Sequence, residues 1–100
     1  MLPVINVSFQ VLPQVPDGNT YAVVDRAIEV VQNSGVKYEV GPMETTMEGD
    51  MDQLLEIVRR AIHECIGAGA KRVMTIVKID YVPEGVTMEE KEGKYRNVPV

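Results

Sequence analysis

The sequence predicts an α+β fold: one four-stranded antiparallel sheet with two helices on one of its faces. Three observations carry that expectation. Hydrophobic spacing switches between the strand period of about 2 and the helix period of about 3.6 in the order β-α-β-β-α-β. A glycine-residue-lysine signature follows each helical stretch and precedes a strand, as Ser34-Gly35-Val36-Lys37 and again as Ala68-Gly69-Ala70-Lys71, so one unit is written twice. Right-handed crossovers in both β-α-β units then place both helices on the same face. This is the split βαβ, or ferredoxin-like, arrangement. The term names a shape only, because a single cysteine does not hold an iron–sulfur cluster.

Taken in order, Val4 to Leu12 reads as the first strand, with Ile5, Val7, Phe9 and Val11 alternating with Asn6, Ser8 and Gln10. Pro13, Pro16 and Asp17-Gly18 end it. Asn19-Thr20 caps a helix to about Ser34 whose stripe is Val24, Ala27, Ile28 and Val31, widened by Val23 and Val30. Gly35 stops that helix, and Val36 to Val40 is the second strand. After Gly41-Pro42, the third strand runs from Met43 to Glu48, with Met43, Thr45 and Met47 on one face and Glu44, Thr46 and Glu48 on the other. Asp50 and Gln53 have capping-box spacing. The second helix follows, with Met51, Leu54, Leu55, Val58, Ala61, Ile62 and Cys65 on its apolar face and Glu56–Arg60 and Arg60–Glu64 as i,i+4 ion pairs. Lys71 to Val82 is the fourth strand.

One hundred residues fit one domain over residues 1–82, with a C-terminal extension over 83–100. A net charge of -5 with scattered basic residues argues against a nucleic-acid footprint. It is compatible with a cationic small molecule. The lone Cys65 forms no intrachain disulfide, which suits a reducing cytoplasm. The start, Met1-Leu2-Pro3-Val4, lacks the pattern of a signal peptide, and no apolar run approaches the roughly 20 residues that span a bilayer. The expected location is the cytoplasm, with no membrane partner.

With both helices on one face, the other face of the sheet is open and carries Val4, Asn6, Ser8, Gln10 and Leu12 from the first strand. The fourth strand adds Met74, Ile76, Lys78, Asp80 and Val82. Leu12, Met74 and Ile76 together form the kind of apolar patch that marks an interface, so a homo-oligomer is expected. Asn6, Ser8, Gln10, Thr46, Glu48, Lys78 and Asp80 converge there into a polar pocket. Such groups need hydrogen-bond partners, which either a ligand or the waters of a subunit interface supply.

At this point the residues resemble a known family. Val7-Ser8-Phe9-Gln10-Val11-Leu12-Pro13, the run from Ser34 to Met43, Thr45-Thr46-Met47-Glu48-Gly49 and Lys78-Ile79-Asp80-Tyr81 are together similar to the YkoF-like thiamine-binding family of ferredoxin-like proteins. The resemblance implies a homotetramer, built as a dimer of dimers, that binds thiamine or its hydroxymethylpyrimidine part near subunit contacts, with no established catalysis; no cofactor is expected. Thr45 and Glu48 carry over onto the family's Thr-x-x-Glu-Gly element, and Ser8 and Gln10 onto its polar first strand. Asn6, Thr46 and Tyr38 complete the candidate ligand-binding set, Tyr38 either stacking on a ring or packing at a strand edge. The chain departs from the family pattern at Met51, where many relatives have tryptophan, and at Thr46, where an aliphatic residue is usual. By alternation Thr45 and Glu48 lie on opposite faces, so either a bulge brings them together or one of them is structural.

Chemically, an aminopyrimidine offers an amine donor beside ring-nitrogen acceptors, which a carboxylate, an amide and hydroxyls complement. Two other classes compete with a non-catalytic carrier, buffer or sensor. One is a small enzyme acting on a related pyrimidine with Glu48 as acid or base, although no nucleophile–base pair or metal set accompanies it. The other is an oligomeric interaction module whose polar seam holds only water.

The remaining tempting residues read as structural. His63 falls off the apolar stripe and has no second histidine for a zinc site. Cys65 falls on the buried stripe, and Met43, Met47 and Met51 read as core. Glu44 and Glu48 lack any further sign of glycosidase chemistry, and no glycine-rich phosphate loop is present. In the extension, Pro83-Glu84-Gly85 turns and Thr87 caps a short helix with Glu89 and Glu90 in its first turn. Asn97-Val98-Pro99-Val100 is extended. The extension is expected to brace a neighbouring subunit, with a lid over the pocket as the other reading.

Overall fold

Alternating apolar residues build the strand at the centre of the molecule. In the computed structural model, which describes residues 2–96, β1 spans Ile5–Gln14, α1 Thr20–Gln32, β2 Lys37–Val40, β3 Thr45–Gly49, α2 Met51–Gly67, β4 Arg72–Asp80 and α3 Met88–Arg96. The sheet order is β2-β3-β1-β4 and every pairing is antiparallel. The fold is the ferredoxin-like one, with α3 added after it.

The odd-numbered residues of β1 face the helices. Ile5, Val7, Phe9 and Val11 meet Val23, Ala27 and Val31 of α1 and Leu54, Ile57, Val58, Ala61 and Cys65 of α2 in one core. The α1 stripe is therefore centred on Val23 rather than Val24. Ile57 is 2% exposed although the sequence reading passed over it, whereas Leu55 is only half-buried. The broad apolar face of α2 sits one position round from its expected centre because the helix packs on α1 as well as on the sheet. Asp50 caps α2 by accepting from the Gln53 N–H at 2.9 Å, as its spacing requires. Gly35 and Gly69 close the two helices at positive φ, 85° and 109°, where a Cβ is disfavoured.

Several boundaries differ from those read in the sequence. β1 continues through Pro13 to Gln14, because β3 stops pairing with it at Phe9 while β4 accompanies it to Arg72. Beyond Phe9 one side of β1 is open. The Gln14 carbonyl turns to the Lys71 N–H, which leaves Pro13, without a donor, on the unpaired side. β3 starts at Thr45 rather than Met43, since the Gly41 N–H bonds the Glu44 carbonyl and folds residues 41–44 into a turn. Met43 is 75% exposed there, not core. The ion pairs also differ: Glu56 takes Arg59, and Glu64 reaches across to Arg26 of α1.

The extension folds against its own chain. The Val86 N–H bonds the Val4 carbonyl at 2.9 Å, Val86 and Met88 are buried, and Thr87 caps α3 by accepting from the Glu90 N–H. The expected extended segment Asn97–Val100 lies outside the described residues. Among the described residues, no helix is long and apolar enough to cross a membrane.

Candidate functional site

Register alone assembles two polar rows across the open face. Glu39, Thr46, Ser8 and Lys78 are successive cross-strand partners from β2 to β4, and one step along the strands Lys37, Glu48, Asn6 and Asp80 form the second row. Cross-strand partners share a face, with neighbouring Cβ atoms about 4.5–5.5 Å apart. Side chains separated by up to 74 positions, those of Asn6 and Asp80, thus meet in one patch.

A cavity of about 570 Å³ stands over these rows. Its floor is Asn6, Ser8 and Thr46; the β2–β3 turn with Glu44 forms one wall, and Met88, Lys91 and Glu92 of α3 another. The Ser8 and Thr46 hydroxyls are hydrogen-bonded at 2.7 Å. Lys78 Nζ lies 2.5 Å from Glu44 Oε1 and Lys91 Nζ 2.6 Å from Asp80 Oδ2, so each lysine at the rim is neutralised by a carboxylate. Asn6 is 3% exposed, and neither its Oδ1 nor its Nδ2 has a hydrogen-bond partner. Leaving such a group unsatisfied costs about 1–3 kcal/mol, which a ligand with matching groups removes.

The expected ligand-binding residues divide. Asn6, Ser8 and Thr46 converge at the cavity floor. Glu48 lies beside Asn6 in its row, but its Oε1 accepts the Met88 backbone N–H at 2.7 Å. Gln10 is on the same face but two positions further along β1, opposite Ile76, where it lines a different cleft. Thr45 is 6% exposed on the helix side of the sheet. No bulge interrupts the β1–β3 register, so Thr45 and Glu48 stay on opposite faces. Tyr38 is the cross-strand partner of Met47 and therefore also faces the helix side. Glu39, Lys91 and Glu92 were not anticipated. Glu39 follows from alternation once the β2–β3 register is known, whereas the α3 residues have no local signal at all.

The second cleft, about 740 Å³, runs between α1 at Tyr21 and Val24 and the unpaired end of β1. It is larger and more apolar. The unbonded buried side-chain atoms among the described residues belong to Asn6 and Thr75, and neither residue lines it. Of the two spaces, the open-face cavity is the one lined by a buried side chain with unbonded polar atoms, that of Asn6. Among the described residues no group of three His, Cys, Asp or Glu side chains is placed to hold a metal. Cys65 is buried in the core, and burial, with Glu64 nearby, pushes its thiol pKa up.

Comparison with known proteins places this geometry in context. The family model described as "Thiamine-binding protein" matches residues 7–96. A UPF0045 protein of Clostridium perfringens is 62% identical over 91 residues, covering 91% of this chain and 96% of that protein. The solved structure of a domain of unknown function, DUF77, from Bacillus cereus superposes with a TM-score of 0.92 at 54% identity, over 95% of this chain and 92% of that one. A Thermotoga maritima protein proposed to act in thiamine biosynthesis or salvage superposes with a TM-score of 0.86 at 42% identity, over 94% of this chain and all of that one (100%).

Proposed function

This chain belongs to the thiamine-binding protein family, and we propose on that premise that it binds thiamine, or its hydroxymethylpyrimidine part, without transforming it. The observation that carries the reading is Asn6: a side-chain amide 3% exposed, opening on the cavity floor with donor and acceptor both unused. An aminopyrimidine edge presents an amine donor beside a ring-nitrogen acceptor, which is the complement of an amide. The Ser8–Thr46 hydroxyl pair stands next to it to take a further ring nitrogen or bridging group. Glu39, Glu44, Asp80 and Glu92 outnumber Lys78 and Lys91 around the rim, a balance suited to the fixed positive charge of a thiazolium.

In this reading Glu48 supports the site from the adjoining position, holding α3 rather than the ligand, and Thr45 and Tyr38 serve the fold. The protein acts as a carrier, buffer or sensor in the cytoplasm, and does so as a homotetramer built as a dimer of dimers. Support for assembly comes from Leu12, Met74 and Ile76, which leave apolar surface 41%, 51% and 49% exposed on the open face.

Titration calorimetry with thiamine, hydroxymethylpyrimidine and the thiazole alcohol tests this. Saturable binding by the wild type, weakened about tenfold or more (~1.4 kcal/mol) by Asn6→Ala, is the expected result. Binding of none of the three by folded, ligand-free protein overturns it in favour of an interaction module, and turnover of a bound pyrimidine overturns the non-catalytic assignment.

A further inference from the structure

Three features of the open-face cavity are of the kind that bind anions, and each is already taken by a carboxylate of this chain. Lys78 and Lys91 are the basic side chains among the described residues that line it. Lys78 Nζ is held by Glu44 at 2.5 Å and Lys91 Nζ by Asp80 at 2.6 Å. The third feature is the start of α3, since the first N–H groups of a helix and its dipole favour negative charge. Met88 lines the cavity there, but its N–H donates to Glu48 Oε1 at 2.7 Å, and the Glu90 N–H donates to Thr87 Oγ1 at 3.1 Å. Glu48 thus stands where a phosphate oxygen would bind. Around the cavity as a whole, four carboxylates (Glu39, Glu44, Asp80 and Glu92) face two ammonium groups, a formal balance of -2.

We propose that this cavity selects the free alcohol form of its ligand and discriminates against the phosphate esters. Thiamine and hydroxymethylpyrimidine enter, whereas thiamine monophosphate, thiamine diphosphate and hydroxymethylpyrimidine phosphate are disfavoured. The proposal rests on the function proposed above and names which chemical form of that ligand the site takes.

The buried amide of Asn6 and the Ser8–Thr46 hydroxyl pair do not make this distinction, because the pyrimidine edge is the same in the alcohol and in its esters. Discrimination therefore falls to charge. A phosphomonoester carries about -1.5 to -2 charges near pH 7. To reach Lys78 or Lys91 it must displace Glu44 or Asp80 and leave that carboxylate unpaired beside it. Placing like charge against the competitor is a direct way to build specificity. The lysine side chains are 66% and 42% exposed and their partners 32% and 50%, so salt screens the effect. A preference of about tenfold is expected at low ionic strength, narrowing as salt is added.

Titration calorimetry with thiamine, thiamine monophosphate and thiamine diphosphate tests the proposal, and the readout is the ratio of their dissociation constants. For the wild type in 50 mM salt, thiamine is expected to bind about tenfold or more tightly than either ester, with the ratio falling in 500 mM salt. The double variant Glu44→Gln, Asp80→Asn frees both lysines, and its ratio is expected to fall at least about fivefold. Adding Lys78→Ala to that variant should restore part of the ratio, which identifies the cation that the ester had gained. Wild type that binds thiamine and its monophosphate within about threefold at low salt overturns this inference and leaves the proposed function standing. A ratio that neither salt nor the double variant changes also overturns it, because the esters are then excluded by shape. Wild type that binds neither thiamine nor hydroxymethylpyrimidine overturns the proposed function, and this inference with it.

Discussion

Glu48 Oε1 accepts the backbone N–H of Met88 at 2.7 Å, tying the end of β3 to the first residue of α3 across 40 positions of sequence. The first N–H groups of a helix lack intrahelical partners, and α3 is served twice, by Thr87 within its own turn and by Glu48 from the sheet. A carboxylate at a helix N-terminus is favoured by the dipole as well.

Removing that carboxylate should therefore loosen the extension before it disturbs the sheet. Glu48→Ala is expected to cost about 1 kcal/mol, in the range of lost helix caps, read by denaturant unfolding. Hydrogen exchange should quicken from Val86 through α3 while β1 and β3 keep their protection. Equal loss of protection across the sheet would contradict this division.

Gly41 holds the turn that walls the cavity. A Cβ there would stand 2.9 Å from the Glu44 backbone oxygen, closer than real Cβ atoms come, in the same turn where the Gly41 N–H bonds that oxygen. Gly41→Ala is expected to destabilise the protein by about 1–3 kcal/mol and to weaken ligand binding by displacing Glu44. Wild-type thermal stability in this variant would refute the prediction.

Ile57 tests the core where the helical periodicity was least informative. It is 2% exposed and packs within the hydrophobic core cluster. Truncation leaves a cavity, so Ile57→Ala should cost about 2–5 kcal/mol. Leu55→Ala, at a half-buried position on the same helix, should cost distinctly less. Reversal of that order in urea melts would show that α2 packs through the face expected from sequence.

Cys65 titrates with a raised pKa because burial disfavours its thiolate. A raised acid stays protonated longer in the folded state than in the unfolded one. Its contribution to stability is thus present below the unfolded value, about 8.5, and is lost as pH rises through the folded value. Unfolding measured from pH 7 to 10 should show stability falling above about 8.5, with Cys65→Ala flattening that slope. A thiol reagent should modify the native protein only at the rate of its opening.

Much of this molecule is legible along the chain, because its signals are local. The alternation of Ile5, Val7, Phe9 and Val11, the Asp50 cap and the glycines at 35 and 69 each depend on residues within one turn or strand, and all are present in the fold. The same alternation correctly separated Thr45 from Glu48. Boundaries were less legible: whether Pro13 ends a strand depends on which neighbour remains beside β1, a fact about β3 and β4.

The sequence by itself determined the order of elements, the apolar faces and the polarity of the open sheet face, since periodicity and capping act over a few residues. Tertiary structure alone decided which polar side chains meet. Strand register set Asn6 between Glu48 and Asp80 and left its amide unbonded, and the docking of α3 engaged Glu48 and brought Lys91 to Asp80. Those contacts join residues some 10 to 75 positions apart, and no local pattern encodes a distance across the sheet.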